Sequence, residues 1–474
     1  MRRLRLPTLA VLAACAGATV LSGCAGSDAA VGQVPESARL APADALAYVT
    51  MTTDEGSGQW QQAEELLERV PGARDGFTSA ISQAVAEEGL TWEGDVAPAL
   101  GPEVVVVVTA ERHPIGLTQP DDDEKLDALL AKGSDPVVHR SVGDWVAFAQ
   151  TDAQLDAYAA ALKRGTLESV DAFVEGMEAL PDDTLGRVWV DVARATRELG
   201  ELVEEASSEF DLGLDWLSAA LAAEDDGLLF TLGARTPGGA DTHYELELFD
   251  RVPADAVAAL SFGGTQGILD SIQGSVDLNG LSKRLEGLTG VSLDGIVDAL
   301  SGEGVLYVRE GETIPEVTLA LAPPDPEETW DTLNRLARAL SEQTDTPITT
   351  VTENGVEVRR IAADEGTLSF ARLDEDTLIV TTGRDAMRVF SGDGDKLVDA
   401  GTFREAADAV ELGDRTRGFA YVDLDGLIPF VEGVAPEDVA PDARETLESL
   451  DSFILQADGE GETTTLSGFL RLTG

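Results

Sequence analysis

Two periodicities of apolar residues run along the chain and predict a mixture of helices and strands. Apolar residues three or four positions apart predict amphipathic helices, as at Leu126, Leu129 and Leu130. Alternating apolar and polar residues, as around Phe419 and Tyr421, predict strands with one solvated face, which is typical of antiparallel or mixed sheets. We therefore expect an α+β fold in which mixed or antiparallel sheets are covered by helices.

Two further segments carry stronger local signals. Five consecutive valines, Val104–Val108, predict a central strand that is buried on both faces. The sequence Asp325-Pro326-Glu327-Glu328 has an N-cap residue, a proline at the first helical position and acidic residues in the first turn. It therefore predicts the start of a helix, whose apolar positions are Trp330, Leu333, Leu336 and Leu340.

The order of these segments is repeated. The sequence of Pro42–Val49, PADALAYV, returns at Pro253–Leu260 as PADAVAAL, and Ala99–Glu103 corresponds to Ala299–Glu303. In both places the second segment leads into a valine-rich strand. An internal duplication of this kind predicts two homologous α+β repeats.

We place the two repeats at residues 42–250 and 251–474. Each repeat should close with a pair of strands. In the first repeat this pair would join Leu228–Ala234 to Tyr244–Phe249, and in the second it would join Phe453–Ala457 to Thr464–Leu472.

The first 23 residues have the layout of a secretory signal peptide. Three arginines precede an apolar stretch, and Leu21-Ser22-Gly23 stands directly before Cys24. This ending resembles the lipobox of bacterial lipoproteins, which implies that Cys24 is acylated (palmitate is a typical chain) and becomes the first residue. A plain signal peptide with an incidental cysteine is the alternative. A membrane-spanning anchor is less favoured, because the apolar run is shorter than the roughly 20 residues that a spanning helix needs.

The lipobox resemblance implies an address and a form of attachment. The protein would be held on the extracytoplasmic face of the cell membrane by the lipid on Cys24. Residues 24–41 are small, polar and without a pattern, so we expect a flexible tether. The other cysteine, Cys15, lies in the signal peptide, so the mature chain would have no disulfide and no thiolate site.

The chain is strongly acidic, and this excludes one class of partner. It has 88 acidic and 33 basic residues, a formal net charge of −55. Because residues 1–23 contain three arginines and no acid, the mature chain would have 30 basic and 88 acidic residues, or −58. Such a surface repels nucleic acid, so we expect no nucleic-acid binding. Adaptation to salt and genome composition are alternative reasons for the same charge.

Three acidic motifs could bind cations, but each has a structural interpretation that we favour. Clustered carboxylates at Asp121–Glu124 suit calcium, yet acids also stabilise the first turn of a helix. Asp423-Leu424-Asp425-Gly426 with Glu432 resembles part of a calcium loop, but Tyr421 occupies the position of its first ligand. We read this motif as a turn at a strand end and Asp393-Gly394-Asp395 as a loop.

Glycine-rich segments follow two predicted strands. Gly263–Gly267 (GGTQG) and Gly56-Ser57-Gly58 each precede a predicted helix, a position where backbone N–H groups can hold phosphate. Since no lysine or arginine stands beside them, we favour an ordinary turn from strand to helix.

The catalytic templates that we can recognise are missing from the sequence. There is no Gly-x-Ser-x-Gly motif, no P-loop and no Ser-x-x-Lys motif. His113, His139 and His243 are scattered and lack the spacing of zinc ligands. We therefore predict no catalytic residue, no metal site and no cofactor.

The chain also resembles an uncharacterised family of actinobacterial and cyanobacterial envelope proteins that carry a domain of unknown function. The resemblance rests on the start at Pro42–Val49, on Gly116–Asp122 (GLTQPDD) with Lys125-Leu126-Asp127, and on the duplicated layout. It would span residues 40–474. It implies location and fold type but no activity.

These observations lead to a function hypothesis and two alternatives. We expect a lipid-anchored, extracytoplasmic, non-enzymatic protein that binds another envelope protein or acts as a scaffold. The first alternative is a carrier of a lipid or another apolar ligand held between sheet and helices, which would need a large apolar cavity. The second is an enzyme of a new type. Sequence cannot separate the first two, because core and ligand-lining residues have the same composition.

Overall fold

The computed structural model describes residues 33–86, 89–132, 137–199, 213–239, 242–263, 287, 289–311, 315–353, 355–363, 366–392, 394–427, 444 and 446–474. These residues form two compact units. Unit 1 contains the described residues of 33–199, 213–237 and 463–474, and unit 2 contains those of 238–462. Both units combine helices with antiparallel strands, so the predicted α+β class is confirmed.

The strands of the described residues are β1 (Ala47–Thr52), β2 (Glu103–Val108), β3 (Pro114–Thr118), β4 (Val138–Val142), β5 (Trp145–Ala149), β6 (Gly186–Val190), β7 (Trp216–Glu224), β8 (Gly227–Arg235), β9 (Tyr244–Glu245), β10 (Ala256–Gly263), β11 (Glu303–Arg309), β12 (Glu316–Ala322), β13 (Ile348–Glu353), β14 (Val356–Ala363), β15 (Gly366–Arg372), β16 (Leu378–Thr381), β17 (Arg415–Thr416), β18 (Gly418–Asp423), β19 (Leu450–Asp458) and β20 (Thr463–Leu472).

The α-helices are α1 (Gly58–Arg69), α2 (Ala73–Ala86), α3 (Ala97–Leu100), α4 (Asp123–Lys132), α5 (Asp152–Leu162), α6 (Asp171–Glu178), α7 (Val192–Leu199), α8 (Leu293–Ala299), α9 (Pro326–Thr344), α10 (Ala386–Ser391) and α11 (Gly401–Ala409). Short 3₁₀-helices span Glu36–Leu40, Leu167–Ser169, Phe249–Arg251 and Leu397–Asp399. A π-helical turn spans Trp92–Val96.

Unit 1 is built on an antiparallel sheet. Its strand order is β4–β5–β3–β2–β1–β6–β7–β8–β20. The main core lies on the face that carries Tyr48, Val105 and Trp189, and it packs against α5, α6 and the 3₁₀-helix Glu36–Leu40. A second cluster covers part of the other face, where Val104 and Phe148 contact residues of α4.

The valine strand β2 is central, as predicted, but it is not completely buried. It pairs with β1 and β3, and Val104, Val105 and Val107 are buried. Val106 and Val108 are half-buried instead. They point to the face that α4 and its neighbours cover only in part, so two-sided burial is limited to the start of the strand.

The predicted strand pair at the end of the first repeat is wrong. Leu228–Ala234 lies in β8, which pairs with β7 and β20 and not with Tyr244–Phe249. Only Tyr244 and Glu245 of that segment are extended, and they pair with Arg415 and Thr416 in unit 2. Asp225 and Asp226 join β7 to β8 in a local hairpin, and β20 occupies the other edge of β8, so neither edge is left for Tyr244–Phe249.

The predicted tether of residues 24–41 is too long at its C-terminal end. Residues 36–40 form a 3₁₀-helix in which Ser37, Ala38 and Leu40 are buried. These residues are held by contacts with β1 and α5: Ser37 Oγ lies 2.7 Å from Tyr48 Oη, and Tyr158 Oη donates to Leu40 O at 2.6 Å. Residues 24–32 lie outside the described residues.

Unit 2 is also built on an antiparallel sheet. Its strand order is β13–β14–β15–β16–β12–β11–β10–β18–β19. A separate two-stranded pairing joins β9 to β17. The most completely buried face carries Val305, Tyr307, Phe419, Tyr421 and Ile454.

Helix α9 starts as predicted, but its apolar positions are covered to different extents. Asp325 Oδ1 accepts a hydrogen bond from Glu328 N at 3.0 Å, and Pro326 is the first helical residue. The buried residues are Thr329, Thr332, Asn334 and Ala337. Leu340, expected in the core, is 37% exposed. Trp330 and Leu333 are half-buried, and Arg359 lies over the Trp330 ring at 5.0 Å and donates to Asn334 Oδ1.

Candidate functional site

The second face of the unit 2 sheet is apolar and partly open to solvent. Strand alternation places Leu260, Leu306 and Leu319 on this face, opposite Ser261, Tyr307 and Thr318. The antiparallel register then sets neighbouring residues side by side: Leu260 pairs with Leu306, and Leu306 pairs with Leu319. The row continues in both directions across the sheet, as Leu455, Ala420, Leu260, Leu306, Leu319 and Val380.

A second apolar row runs beside the first. It is formed by Phe453, Val422, Ala258, Val308 and Val317. We call these two rows together the apolar face of unit 2. Neither row contains a side chain that can form a hydrogen bond, so the face offers only van der Waals and hydrophobic contacts.

The exposure of the two sheet faces differs sharply. On the apolar face, Leu260 is 41% exposed and Val317 is 38% exposed, and the other members of the rows are half-buried. On the opposite face, Ser261, Tyr307 and Ile454 are completely buried. Covering the exposed part of Leu260 would contribute about 1 kcal/mol. A continuous exposed apolar patch of this kind is typical of a binding surface.

Helix α9 covers one end of the apolar face. Val380, the last residue of the first row, packs against the cluster formed by Ala337, Ile361 and Phe370. Trp330 and Leu333 of α9 pack against the same cluster. The covered end therefore shows how this face accepts an amphipathic partner, while the part around Leu260 and Val317 stays open.

Unit 1 has a comparable apolar row on its second face. The register places Leu466, Leu232, Ala219, Val188, Val49, Val106 and Gly116 side by side. All but Gly116 are half-buried, and Leu217 in the adjacent row is 37% exposed. Phe148 lies across Gly116 at the end of the row, where α4 covers it. The open face is therefore a feature of both units.

The apolar faces have no distinctive signal in the sequence. Leu260, Leu306 and Leu319 stand in short alternating patterns that predict strands, and half-exposed and buried positions have the same composition. Only the pairing of the strands shows that their apolar residues form continuous rows.

Two half-buried glutamates, Glu103 and Glu303, were also missed as possible functional groups. Each begins the strand that follows α3 or α8, β2 in unit 1 and β11 in unit 2. Glu103 Oε1 accepts a hydrogen bond from Ser37 Oγ at 3.0 Å, and Ser37 Oγ lies 2.7 Å from Tyr48 Oη. Glu303 Oε1 accepts from Leu248 N at 2.7 Å. The signal available in the sequence was the matching position of the two acids in the duplicated layout.

Burial changes the acid–base properties of both glutamates. Burial raises the pKa of Glu103, against the lowering effect of the Ser37 hydrogen bond. Burial raises the pKa of Glu303 to about 7, although the N–H groups of Leu248 and Phe249 lower it. Glu303 is therefore a carboxyl group that titrates near neutral pH.

The acidic motif Asp121–Glu124 forms a helix cap. Asp122 Oδ1 accepts hydrogen bonds from Glu124 N at 2.9 Å and from Lys125 N at 3.2 Å. The helix begins at Asp123. The capping interpretation is thus confirmed, since the carboxylate of Asp122 satisfies N–H groups that the helix itself leaves unpaired.

The other acidic motifs are also local structure where the described residues include them. Asp423 ends β18, and its Oδ1 accepts from Gly426 N at 2.9 Å. Glu432 and Asp393 lie outside the described residues. The carbonyl oxygen of Asp395 accepts from Ala254 N at 3.0 Å, which ties this loop to the start of β10.

The glycine-rich segments have different outcomes. Ser57 is the N-cap of α1, and its Oγ accepts from Trp60 N at 3.3 Å. The predicted turn from strand to helix is therefore confirmed at Gly56–Gly58. Gly263 ends β10, and Gly264–Gly267 lie outside the described residues.

The histidines are apart from one another. His139 lies in β4, and its Nε2 is 3.3 Å from Asp127 Oδ1. His243 Nε2 is 2.6 Å from Asp458 Oδ1 in unit 2. Within the described residues, no group of three or more His, Cys, Asp or Glu side chains has the arrangement of a metal site.

The lipobox residues Leu21, Ser22 and Gly23 and the predicted acylation site Cys24 lie outside the described residues. Acylation of Cys24 stays a prediction. None of the helices in the described ranges combines the length and the apolar character that a membrane crossing requires.

Part of the chain matches one family model. Residues 6–134 match a family whose description is "Protein of unknown function (DUF3352)". The matched range includes Pro42–Val49, Gly116–Asp122 and Lys125–Asp127, the stretches on which the resemblance rests, and it begins before residue 40. No curated protein matches the chain.

Three solved structures are similar to parts of the chain. Crystal form IV of TP0453 has 14% identity and a TM-score of 0.26, and the match covers 48% of this chain and 81% of that chain. Crystal form III has 11% identity and a TM-score of 0.26, and the match covers 48% of this chain and 92% of that chain. Crystal form I has 8% identity and a TM-score of 0.25, and the match covers 44% of this chain and 82% of that chain. TM-scores this low assign neither a fold nor a function, so the chain is similar over residues 6–134 to a family of unknown function.

Proposed function

We propose that this protein is a lipid-anchored, extracytoplasmic, non-enzymatic protein of the cell envelope that binds another protein through the apolar face of unit 2. The observation that carries the proposal is the open part of this face around Leu260 and Val317. A sheet face that is covered by a helix at one end and exposed at the other is suited to accept a second amphipathic element. The anchor is supported by Leu21–Cys24, whose sequence resembles a lipobox.

The same proposal includes attachment and place. Acylation of Cys24 would leave the folded units on the outer side of the membrane, with the residues before Glu36 as the tether. The resemblance to an actinobacterial and cyanobacterial envelope family over residues 40–474 agrees with this location. The acidic surface disfavours nucleic acid and anionic lipid headgroups as partners, and it favours a partner with a basic rim.

We further propose that the repeats 42–250 and 251–474 are homologous. The strand orders β3–β2–β1–β6–β7 and β12–β11–β10–β18–β19 support this proposal.

Matching backbone contacts add further support for the duplication. Leu167 N donates to Ala41 O, and Leu397 N donates to Val252 O, both at 2.9 Å. Isolated bridges join Pro42 to Thr166 and Pro253 to Lys396.

The alternative is a carrier of a lipid or another apolar ligand. The observation in its favour is the composition of the two rows, which contain only aliphatic residues and one phenylalanine, so that they match hydrocarbon as well as a protein side chain. In this alternative the acyl chains would lie along Leu260, Leu306 and Leu319.

Crosslinking and mass spectrometry of the same variants separate the two functions. Leu260→Gln and Val317→Thr change the open part of the face, and Thr350→Gln changes an exposed position on β13 of the same unit as a control. We expect photo-crosslinks from this face to a discrete protein in cells, reduced at least tenfold by the first two variants and unchanged by the control. Crosslinks that persist in both face variants would contradict the proposal.

Native and denaturing mass spectrometry of soluble residues 25–474, produced in an actinobacterial host, tests the carrier. Mass that is lost on denaturation, and lost from the Leu260→Gln variant before denaturation, would establish the carrier in place of the protein-binding function. A bare polypeptide mass together with crosslinks to one protein supports the main proposal.

A further inference from the structure

The two rows of the apolar face of unit 2 form a band with the dimensions of one α-helix. Residues two positions apart on a strand are separated by about 7 Å, so this is the distance between the row of Leu260 and the row of Ala258. The rows cross β19, β18, β10, β11 and β12, and the four steps between these strands, each about 4.8 Å, give a length of about 19 Å. An α-helix with its side chains is about 10–12 Å wide, and about 13 residues of helix span this length.

On one side the band ends at a third row that is already covered. In this row the Phe262 ring lies across Gly304, and Leu321 and Leu378 follow on the next two strands. Leu321 and Leu378 are buried. The open part of the face is therefore two rows wide, which suits a single helix better than a second sheet, whose packing would need residues along most of each strand.

On the other side the band is bordered by acidic residues. Glu310 is exposed and follows β11, two positions after Val308. Asp451 lies on β19, two positions before Phe453. Three strand steps of about 4.8 Å separate β11 from β19, so the two acids lie roughly 14 Å apart in the direction of the rows. Arg309 precedes Glu310 but points to the opposite face, where it forms ion pairs with three carboxylates, so this border attracts basic side chains.

The covered end of the face shows how helix residues meet its rows. Trp330 and Leu333 of α9, three positions apart, pack against the cluster that contains Phe370. Phe370 pairs with Val380, the last residue of the first row. Apolar residues three or four positions apart on a helix are separated by about 5–6 Å. This distance is close to the strand spacing of about 4.8 Å, so successive apolar residues of a helix that lies along the rows would meet successive strands.

We propose that the element bound by the apolar face of unit 2 is a basic amphipathic α-helix of about 13 residues that lies along the two rows, an inference that rests on the proposed function. Its apolar residues recur every three or four positions and contact Leu260, Leu306 and Val317. Lysine or arginine residues two to three turns apart on one side of this helix reach Glu310 and Asp451.

The charge of the protein separates this partner from two other occupants. A second copy of the chain has the same formal charge of −55 and would repel the first. An acyl chain covers aliphatic side chains but has no cation for Glu310 and Asp451. A basic amphipathic helix matches both the apolar rows and their acidic border.

Fluorescence anisotropy of labelled peptides with soluble residues 25–474 measures the preference of the face. The basic probe is a synthetic peptide of about 18 residues, long enough to form a helix, with leucine at every third or fourth position and lysine on one side of the leucines. The acidic probe has glutamate in place of each lysine, and the scrambled probe has the basic composition without the periodicity. We expect the basic probe to bind about tenfold more tightly, or better, than the other two.

Variants at exposed positions locate the binding. Leu260→Gln should weaken binding of the basic probe by about tenfold, and Thr350→Gln should leave it unchanged. Glu310→Gln should weaken binding by about two- to fivefold at low salt, and this effect should disappear at high salt.

Equal binding of the basic and acidic probes, failure of the basic probe to bind, or binding that Leu260→Gln leaves unchanged would overturn this inference. So would a dimer of residues 25–474 that Leu260→Gln dissociates, or a bound lipid that the same variant loses. If crosslinks to a discrete protein still require Leu260 and Val317 while the basic probe fails to bind, the proposed function stands and only the helix is wrong. If the crosslinks and the probe binding are both missing, both proposals fail.

Discussion

The ring of Phe262 lies across the backbone of Gly304, the residue directly opposite it on the neighbouring strand of unit 2. The same relationship joins Phe148 to Gly116 and Phe230 to Gly468 in unit 1. In each pair a Cβ on the glycine would overlap the aromatic ring. Glycine therefore makes room for a ring that packs flat on the apolar side of the sheet.

Gly304→Ala should destabilise unit 2, because the added methyl group forces the Phe262 ring away from the strand. We expect a loss of about 1–3 kcal/mol in the free energy of unfolding, measured by urea denaturation. Gly401→Ala adds the same methyl group at the start of α11, where a Cβ would meet open space, and should be neutral or slightly stabilising. Equal stability of the two variants would contradict the close packing.

Ser37→Ala should destabilise unit 1 in a pH-dependent manner. Burial raises the pKa of Glu103 and the Ser37 hydroxyl lowers it, so removing the hydroxyl raises this pKa further. The stability that depends on a neutral Glu103 decreases as the pH rises through the pKa of Glu103 in the folded protein. The loss of unfolding free energy caused by Ser37→Ala should therefore be larger at pH 8 than at pH 5. At pH 8 we expect Ser37→Ala to lower the free energy of unfolding by about 1–3 kcal/mol.

The control for that prediction is Ser169→Ala. The Ser169 hydroxyl is exposed and donates only to Thr166 O at 2.8 Å. Denaturant unfolding at both pH values should show little change for this variant. A pH-independent loss for Ser37→Ala would assign its effect to packing and to Tyr48 in place of Glu103.

Gln59→Ala should lower the free energy of unfolding of unit 1. The Gln59 side chain donates to Ala223 O at 3.0 Å and accepts from Ala223 N at 2.8 Å, where β6 no longer pairs with β7. Removing it leaves two buried backbone groups without a partner, which costs about 1–3 kcal/mol. Gln61→Ala, on the exposed side of α1, should cost less than half as much by the same denaturation measurement.

Cys24→Ala should release the protein from the membrane. If Cys24 is acylated, cells fed a palmitate analogue should label the wild-type protein and not the variant, because the other cysteine, Cys15, would be removed with the signal peptide. Fractionation should find the wild type with membranes, since each buried CH₂ group contributes about 0.8 kcal/mol. Labelling that persists in the variant would refute the lipobox interpretation.

Local patterns predicted most of the secondary structure. The N-cap at Asp325 lies where the sequence predicts it, and Asp122 caps α4 within the predicted acidic motif Asp121–Glu124, because a capping side chain contacts N–H groups only two or three residues away. The apolar spacing of Leu126, Leu129 and Leu130 likewise predicted the buried side of α4. In α9 the same spacing predicted Trp330 and Leu333, which pack against Ala337, Ile361 and Phe370, whereas Leu340 near the end of the helix is 37% exposed.

The sequence by itself determined the α+β class, the helix starts, the central position of β2 and the absence of familiar catalytic motifs, since these depend on residues that are close together in the chain. Only the tertiary structure decided that residues 36–40 are part of the core, that β8 pairs with β20, and that Glu303 accepts hydrogen bonds from Leu248 N and Phe249 N. It alone set Leu260, Leu306 and Leu319 in one row. The reason is that strand register and burial join residues that are far apart in the chain, and alternation on each strand carries no information about its neighbour.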